Sequence, residues 1–328
     1  MSSTSSSTES ATDPRILIIV NPVAGRGAAA RAVPQIRAGL DALGLHAEVV
    51  CTQYPWHAAE IAEANATSGA FDTIAAAGGD GTVHEVLNGL MLARDQVQGH
   101  HRLPALGVLP IGRGNDFGFG IDVPADLDRA IQILATGTRR TIDVGIVSGG
   151  DIAGRRYFAN GVGIGFDAIV GFEAAKMNHL HGHLLYLAAA LKTISLYHRG
   201  PVVHIEYDDR TIEQQSLLIS VMNGRRMGGG FMMAPTGDPG DGKFDLCIAR
   251  QISRPAIFAL IPHFMKGTQA SQKPIQMGRT EHIVVTATKG TLPAHADGET
   301  LCTKGHQLEM QIVPGAVQVI STMGLALP

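Results

Sequence analysis

The sequence predicts an α/β protein whose first part is a doubly wound parallel sheet and whose second part is a β-sandwich. In the first part, buried-strand patterns alternate with helical patterns, which is typical of parallel sheets. From about residue 138 onward, short β-rich segments follow one another between turn signals, which favours an antiparallel sandwich. A chain of 328 residues is long enough to form both cores.

The composition excludes several classes of protein. With a net charge of −3 and no basic stripe, the chain is not expected to bind nucleic acid. Cys51, Cys247 and Cys302 are far apart and form no Cys-x-x-Cys pair, so no disulfide framework or zinc site is predicted. No apolar run approaches the roughly 20 residues of a spanning helix, and no signal-peptide pattern follows the start. We therefore expect a cytoplasmic protein with a disordered Ser/Thr-rich tail at residues 1–13.

The first strand and its turn open the predicted sheet. Arg15–Val20 is almost continuously apolar, as buried strands are, and Pro22 ends it because proline cannot continue a central ladder. The glycine-bearing turn Asn21–Gly27 follows directly. A glycine-bearing turn between a strand and a helix is a place where phosphate can bind.

A helical pattern follows this turn and ends at Gly44. Pro34 predicts that the regular helix begins near residues 31–33, because proline is tolerated only in a first turn. Arg26 and Arg31 lie on the turn and at the helix start, where their charges would suit phosphate. A solvated surface position is the ordinary alternative for any single arginine.

The most informative stretch is Gly78-Gly79-Asp80-Gly81-Thr82, which follows the strand pattern Phe71–Ala77. Thr82 and Glu85 stand three residues apart, as a capping box requires. Glycines let a ligand approach closely, and the helix start points unpaired N–H groups and a positive dipole end at it. Asp80 could hold a metal ion or orient a cation, although a plain strand-to-helix turn is the alternative. The helix face repeats apolar residues at Val83, Val86, Leu87, Leu90 and Met91.

A third glycine turn, Pro110–Asp116, follows the strand pattern Leu103–Leu109. The carboxyl ends of parallel strands meet at one edge of a sheet, and ligands of α/β proteins bind there. All three turns are therefore expected at the same edge. Their convergence predicts a phosphate site more strongly than any single turn does.

We place the first domain at residues 14–138 and the second at 139–315, with 316–328 returning to the first domain as a last strand. Two apolar helical stretches, His183–Tyr197 and Pro255–Met265, interrupt the second domain. Its predicted strands are Thr141–Val147, Arg156–Asn160, Val202–Tyr207, Gln215–Met222, Phe244–Arg250, His282–Ala287 and Glu309–Val313.

Two acidic turns stand out in the second domain. The loop Asp238–Lys243 offers oxygen ligands to a hard cation such as Mg²⁺, although an ordinary Asp-Gly turn has the same sequence. In the turn His295–Glu299, one carboxylate could accept a proton from an attacking hydroxyl while its neighbour orients it or helps to hold Mg²⁺. A surface turn is again the alternative. Gly237–Lys243 also fits Gly-x-x-x-x-Gly-Lys, but a strand follows it, so we reject a phosphate loop.

Together these motifs resemble the diacylglycerol kinase catalytic family, which includes soluble bacterial lipid kinases and the related sphingosine kinases. The resemblance covers nearly the whole chain after the tail. It rests on Asn21-Pro22-x-x-Gly25, Gly78–Thr82 with Glu85–Gly89, Pro110-x-Gly112-x-Gly114-Asn115-Asp116-Phe117, Gly163-x-Gly165-Phe166-Asp167-Ala168, Asp241-Gly242 and Asp297-Gly298-Glu299.

The resemblance implies that ATP lies in the cleft between an α/β nucleotide domain and a β-sandwich. It implies that Asp297 is the catalytic base, with Glu299 beside it. It also implies a structural Mg²⁺ on Asp241, in a loop shared with Asp238 and Lys243. The implied nucleotide-binding residues are Asn21, Pro22, Gly25, Arg26, Arg31, Gly78, Gly79, Asp80, Gly81, Thr82, Gly112, Arg113, Asn115 and Asp116.

Two positions depart from the family pattern. Arg113 stands where the family usually has Thr, which puts the identity of the acceptor further in question. Arg26 replaces the common Lys and keeps its charge.

The reaction implied is transfer of the γ-phosphoryl group of ATP to a lipid hydroxyl such as that of diacylglycerol, with Mg²⁺ as cofactor. The partner is then a lipid, reached from the inner face of a membrane. A kinase for a soluble acceptor such as NAD, and a non-catalytic nucleotide- or lipid-binding protein, are the alternatives. The sequence does not determine the oligomeric state, and a homodimer stays among the options.

A lipid acceptor needs an apolar surface, and two helical stretches offer one. Burial of both stretches as core helices is the alternative. The apolar residues concerned are Leu184, Leu185, Leu187, Leu191, Ile194 and Leu196 in the first stretch, and Ile257, Phe258, Ile261, Phe264 and Met265 in the second.

Overall fold

The structure is a computed structural model that describes residues 15–97, 102–177, 182–196 and 199–322. The tail expected at 1–13 and the last residues of the expected return strand, 323–328, lie outside this described part.

The first part of the chain alternates strands and helices, as predicted. In chain order the elements are β1 (Ile16–Val20), α1 (Ala24–Ala42), β2 (Ala47–Cys51), α2 (His57–Ser68), β3 (Thr73–Gly78), α3 (Asp80–Val97), β4 (Ala105–Pro110), α4 (Asp116–Gly120) and α5 (Leu127–Thr136).

These strands form a parallel sheet in the order β2-β1-β3-β4. The chain runs from β1 outward to β2 and then returns across β1 to β3, so the direction of winding reverses between β1 and β3. Accordingly α1 packs with α5, whereas α2 packs with α3. The predicted doubly wound sheet is confirmed, and its switch point lies where β1 and β3 end.

Two local predictions about helix starts are wrong. α1 contains Pro34 well inside it, and regular helical dihedrals resume directly after Gly27 rather than near residues 31–33. The capping box does not form, because α3 already begins at Asp80. The carboxylate of Glu85 instead accepts a hydrogen bond from the backbone N–H of Ala58 at 3.1 Å, at the start of α2. The predicted apolar face of α3, from Val83 to Met91, is buried.

The second part of the chain is the β-rich part. Its elements are β5 (Thr138–Gly149), β6 (Arg155–Phe158), β7 (Gly161–Gly165), α6 (Phe166–Ala175), α7 (Gly182–Leu196), β8 (Val202–Tyr207), β9 (Arg210–Met222), β10 (Phe244–Arg250), α8 (Arg254–Lys266), a 3-10 turn (Gln269–Ser271), β11 (Ile275–Thr280), β12 (His282–Lys289), β13 (Leu292–Ala296), β14 (Glu299–Gly305) and β15 (Gln307–Ser321).

The predicted sandwich is confirmed, and β9 links its two sheets. The first half of β9 pairs with β8, and its second half pairs with β7 and β10. β7, β11, β13 and β14 are not among the strands predicted from the sequence. Glycine alternates through β7, and a proline lies within β13, so neither has the appearance of a strand in sequence.

β5 and β15 connect the two parts of the molecule. They pair along most of their length, and the end of β15 pairs in parallel with β4 through Val319 and Leu106. Ile142 and Val319 belong to the core of the parallel sheet, whereas Val147 and Leu308 belong to the core of the sandwich. The domain boundaries at 138 and 315 stay a prediction.

Among the residues whose side chains the structure describes, each apolar helical stretch is buried on one face and exposed on the other. Ile194 of α7 and Ile257 of α8 are 1% and 3% exposed. Leu191 of α7 and Phe258 and Met265 of α8 are 40–45% exposed. The side chains of Leu184, Leu185 and Leu196 lie outside the described residues. Within the described part of the chain, no helix is both long enough and apolar enough to cross a membrane.

Candidate active site

The three glycine turns lie together at the carboxyl edge of the parallel sheet. They line one cavity of about 550 Å³, and the turn between β13 and β14 lines the same cavity from the sandwich side. The predicted residues that line it are Asn21, Gly25, Arg26, Gly79, Asp80, Gly81, Thr82, Gly112, Arg113, Asp116, Asp297 and Glu299. Pro22, Arg31, Gly78 and Asn115 belong to the same turns or to α1 without lining the cavity.

The turn after β1 has a left-handed backbone. Gly25, Arg26 and Gly27 have φ angles of 56°, 58° and 80°. A Cβ on residue 25 would lie 2.8 Å from the carbonyl oxygen of Ile111, so this close approach requires glycine. Arg31 donates from Nη1 to the carbonyl oxygen of Arg26 at 3.4 Å and so supports the turn from α1.

The turns after β3 and β4 pack backbone to backbone. A Cβ on Gly112 would overlap the Cα of Gly79. Asn115 has a φ of 53°, and its Oδ1 accepts a hydrogen bond from the N–H of Gly112 at 2.9 Å. The N–H of Phe117 donates to Oδ1 of Asp80 at 3.1 Å. The first residue of α3 is therefore tied to the third turn.

Asp116 connects the third turn to the sandwich. Its buried carboxylate accepts hydrogen bonds from Nε of Arg226 at 2.7 Å and from the N–H of Gly229 at 2.9 Å. Burial raises the pKa of Asp116, although Arg226 and the backbone N–H groups act in the opposite direction. The guanidinium of Arg226 lies 4.1 Å from the ring centre of Phe119, in the element that follows. This contact joins the two parts of the molecule on one side of the cavity.

Asp297 is the most completely hydrogen-bonded carboxylate in the cavity. Its Oδ1 accepts from the N–H groups of Asn160 and Gly161, both at 2.9 Å. Its Oδ2 accepts from the N–H of Ala159 at 2.9 Å and pairs with Nδ1 of His84 at 3.1 Å. Burial acts to raise the pKa of Asp297, but His84 and the backbone N–H groups outweigh it, so the pKa is lowered. The side chain is held as an anion with its acceptor positions occupied.

Asp80 has the opposite environment. Burial, together with the negative charges of Asp116 and Asp297, raises its pKa to about 7, against the hydrogen bond from Phe117. The same cavity therefore holds Asp297, whose pKa is lowered, beside Asp80 and Asp116, whose pKa values are raised. Carboxylates whose pKa values are shifted in opposite directions are typical of sites in which the two groups have different roles.

Glu299 extends over the start of α3 from the sandwich side. A Cβ on residue 81 would lie 2.5 Å from Oε1 of Glu299, so Gly81 leaves room for this carboxylate. Glu299 itself is exposed at the start of β14, whereas Asp297 is 8% exposed. The two acidic residues of this turn therefore face different surroundings.

Several residues of the site have no role predicted from the sequence. His84 follows Asp80 by four residues on α3, so helical spacing alone would have placed it on the same face. Asp167, at the start of α6, and His295, on β13, also line the cavity, where His295 is buried and Asp167 is half-buried. Burial raises the pKa of Asp167. Both residues were part of recognised motifs, but no spacing rule relates residues so distant in sequence.

The predicted Mg²⁺ loop lies outside the cavity lining, and its donor set does not fit a metal. Asp238 forms an ion pair with Arg140, and Asp241 forms one with Arg279. The backbone N–H of Lys243 donates to Asp241 at 3.1 Å. Across the part of the chain that the structure describes, no three His, Cys, Asp or Glu side chains are grouped as a metal ion requires. Mg²⁺ binding by Asp238, Asp241 and Lys243 stays a prediction without geometric support.

The fold and site together define a phosphotransferase class built from a parallel-sheet domain and a β-sandwich. Residues 15–147 match the family model "Diacylglycerol kinase catalytic domain". Residues 160–321 match the model "YegS C-terminal NAD kinase beta sandwich-like domain". The chain belongs to the diacylglycerol kinase catalytic family.

Relatives in other organisms match over most of the chain. A diacylglycerol kinase of Bacillus subtilis (strain 168) is 28% identical over 287 residues, covering 87% of this chain and 89% of that protein. A probable lipid kinase YegS of Salmonella newport (strain SL254) is 30% identical over 256 residues, covering 75% and 77%.

Solved structures share the fold. A diacylglycerol kinase from Bacillus anthracis str. Sterne superposes with a TM-score of 0.70 at 22% identity, covering 95% of this chain and 98% of that chain. An NAD kinase from Archaeoglobus fulgidus in complex with ATP superposes with a TM-score of 0.51 at 14% identity, covering 94% of each chain.

Proposed function

We propose that this protein transfers the γ-phosphoryl group of ATP to a hydroxyl of a lipid such as diacylglycerol. The observation that carries the proposal is the shared cavity, in which three phosphate-type turns of the parallel sheet face an acidic turn of the sandwich. The names of the relatives, a diacylglycerol kinase and a probable lipid kinase, support a lipid acceptor, and the ATP complex of the NAD kinase neighbour supports ATP as the donor.

The phosphates of ATP would lie on the glycine turns. Residues of the turns after β1 and β3 line the cavity, and the start of α3 adds the positive end of its dipole. Arg26 and Arg113 also line the cavity and carry the positive charge that a triphosphate needs. Mg²⁺ would enter with the nucleotide as part of the substrate and offset its charge, near the exposed carboxylate of Glu299.

We assign Asp80 as the general base that accepts the proton of the attacking hydroxyl. Its pKa of about 7 gives a mixture of charged and neutral forms at neutral pH, which suits a general base. The resemblance gives this role to Asp297 instead. However, the four hydrogen bonds that Asp297 accepts leave it no position for a substrate hydroxyl unless one of them breaks. We therefore assign Asp297 the role of a fixed negative charge that helps to raise the pKa of Asp80.

The apolar end of the cavity favours a lipid over a soluble acceptor. Val170 and Ala174 of α6, with Met227 and Phe231 from the segment after β9, line this end. A kinase for NAD would need polar groups there for a second nucleotide. A non-catalytic binding protein would have no need for two aspartates of opposite pKa shift.

Labelled ATP tests the proposal directly. The full chain is incubated with [γ-³²P]ATP, Mg²⁺ and either diacylglycerol in mixed micelles, other lipid alcohols, NAD, or soluble polyols. We expect label in a lipid product and none in NAD. Label in NAD alone would favour the soluble-acceptor alternative, and nucleotide binding without any labelled product would favour the non-catalytic one.

A further inference from the structure

The turn after β4 places Arg113 next to the proposed general base. The residue before it, Gly112, packs so tightly on the turn after β3 that a Cβ there would overlap the Cα of Gly79. The residue after it, Gly114, is equally close to the base, because a Cβ there would lie 2.8 Å from Oδ2 of Asp80. The main chain at Arg113 therefore lies between a phosphate-type turn and the carboxylate of Asp80.

Arg113 carries a charge that its neighbours do not neutralise. Its side chain is exposed, and the residue lines the cavity. It forms no hydrogen bond or ion pair with any residue that the structure describes, although Asp80, Asp297 and Glu299 line the same cavity. Arg226, by contrast, is held by a carboxylate at 2.7 Å. The guanidinium of Arg113 is therefore available to an anion that enters the cavity.

The place of the transferred group follows from the position of Asp80. A general base lies about 2.6–3.2 Å from the hydroxyl oxygen whose proton it accepts. That oxygen attacks phosphorus from about 3–3.5 Å, so the γ-phosphorus lies within about 7 Å of the Asp80 carboxylate when transfer begins. Because Gly114 contacts this carboxylate, the side chain of Arg113 starts within reach of the γ-phosphoryl group.

We propose that the guanidinium of Arg113 donates hydrogen bonds to the γ-phosphoryl oxygens of ATP and keeps them while the group moves to the acceptor. This inference rests on the proposed function, with Asp80 as its base. In the transfer, a bond forms from the hydroxyl oxygen to the γ-phosphorus, and the hydroxyl proton goes to Asp80. The bond from the γ-phosphorus to its bridging oxygen breaks, and its electron pair leaves with ADP. The negative charge on the moving group matches the planar donors of a guanidinium.

This contact makes Arg113 different from the other phosphate-binding features of the cavity. The dipole at the start of α3 attracts every phosphate near it, whether the nucleotide is ATP or ADP. Arg113 instead contacts a group that ADP lacks. The preference of the protein for ATP over ADP should therefore depend on this residue. Since the family usually has Thr at this position, the guanidinium is a feature of this chain.

Two substitutions separate the charge of Arg113 from its shape. Arg113→Gln keeps a long polar side chain but removes the charge. Arg113→Lys keeps the charge but loses the two parallel donors of the guanidinium. The backbone at residue 113 is not left-handed, so neither side chain strains it. Arg37→Gln is the matched control, because Arg37 is also exposed but lies on α1, outside the cavity lining.

Calorimetry gives the Kd of ADP and of the non-hydrolysable ATP analogue adenylyl imidodiphosphate, both with Mg²⁺. Initial rates give kcat and the KM for 1,2-dioctanoylglycerol. Loss of a charged hydrogen bond predicts that the ratio of the analogue Kd to the ADP Kd rises on the order of 10-fold in Arg113→Gln. Loss of a donor to the transition state predicts that kcat falls on the order of 100-fold.

The other values in this experiment should change little. Arg113→Lys should lie between the wild type and Arg113→Gln in both the Kd ratio and kcat, because its charge remains. Arg37→Gln should match the wild type in both. The Kd of ADP and the KM for dioctanoylglycerol should stay within about 3-fold of the wild type in every variant, because a lost contact to the γ-phosphoryl group affects neither ligand.

The outcomes distinguish this inference from the proposed function. If the wild type binds the analogue but phosphorylates no lipid, the proposed function fails, and a raised Kd ratio in Arg113→Gln still supports the γ-phosphate contact. If the wild type phosphorylates dioctanoylglycerol and Arg113→Gln keeps both the wild-type ratio and kcat, only the inference on Arg113 is overturned. Equal weakening of ADP and analogue, or a raised KM for dioctanoylglycerol at an unchanged ratio, also overturns it.

Discussion

Exchanging aspartate for asparagine should affect stability in opposite ways at positions 297 and 80. Each carboxylate oxygen of Asp297 has two hydrogen-bond partners. Three of these four partners are backbone N–H groups, and the fourth is Nδ1 of His84. An asparagine there must point its NH₂ group at one or two backbone N–H groups, because His84 can accept from it in its other tautomer but the N–H groups cannot. Losing at least one hydrogen bond to a charged acceptor costs at least about 1.5–3 kcal/mol.

Asp80 presents the reverse case. Its folded-state pKa, about 7, is above the unfolded value of about 3.9, so its protonated form is favoured by folding. That contribution is fully present below the unfolded pKa and is lost as pH rises through 7. At pH 8 the wild type therefore contains a buried charge that folding disfavours. Asparagine removes this charge, and its Oδ1 still accepts the hydrogen bond from Phe117.

Thermal unfolding of both variants at pH 8 checks the prediction. We expect the Tm of Asp297→Asn to fall by at least roughly 3–6 °C, from about 2 °C per kcal/mol for a chain of this size. The Tm of Asp80→Asn should equal or exceed that of the wild type. The lowered pKa of Asp297 gives stability that is present above its unfolded value and is lost as pH falls through the folded one. The deficit of Asp297→Asn should therefore shrink in strongly acidic buffer.

A wild-type Tm for Asp297→Asn at pH 8, or a loss of stability in Asp80→Asn as large as that in Asp297→Asn, would contradict these opposite effects. A large loss at position 297 would also mean that inactivity of Asp297→Asn does not by itself identify a catalytic base. Residual activity must then be measured on the fraction that remains folded, which near-UV circular dichroism reports.

Three further predictions concern activity and binding. The kcat/KM of the wild type should rise with pH and level off above about pH 7, since Asp80 must be deprotonated to accept a proton. A kcat/KM that is constant from pH 5 to 8 would exclude Asp80 as the general base. Gly112→Ala should raise the Kd for ATP and lower the free energy of unfolding by about 1–3 kcal/mol, because its Cβ overlaps the turn at Gly79. Gly120→Ala, the control, should change neither quantity. Calorimetry measures the Kd, and thermal unfolding measures the stability. Phe258 and Met265 are 45% and 41% exposed, and each would bury apolar area in a membrane at about 25 cal/mol per Å². Replacing both by Ser should therefore lower co-flotation with diacylglycerol-containing vesicles at least 3-fold. Unchanged flotation would show that α8 does not face the membrane.

The parallel sheet and its three turns could be predicted because their signals are local. Each turn combines the end of an apolar strand with glycine within a few residues. One rule about the carboxyl ends of parallel strands then places all three turns together. Local patterns also gave one wrong prediction at the start of α3. Thr82 and Glu85 have capping-box spacing, yet Glu85 hydrogen-bonds to Ala58 in α2, a partner that no pattern within α3 indicates.

The environment of the acidic residues could not be predicted, because it depends on contacts distant in sequence. The backbone donors to Asp297 come from residues 136–138 positions away, and Arg226 lies 110 positions from Asp116. The same limit applies to the acidic loop at Asp238–Lys243. Its carboxylates resemble a cation site in sequence, but Arg140 and Arg279 neutralise them in the fold.

The two parts of the chain are coupled through the charge at position 297. Residues 159–161 and His84 hold Asp297 as an anion, and that anion is one of the charges that raise the pKa of Asp80. Asp80 belongs to the parallel sheet, whereas the turn that carries Asp297 belongs to the sandwich. The proton affinity of the proposed base is therefore set partly by the other domain. A parallel-sheet domain without the sandwich would retain the phosphate turns but have an Asp80 of lower pKa, and so a weaker base.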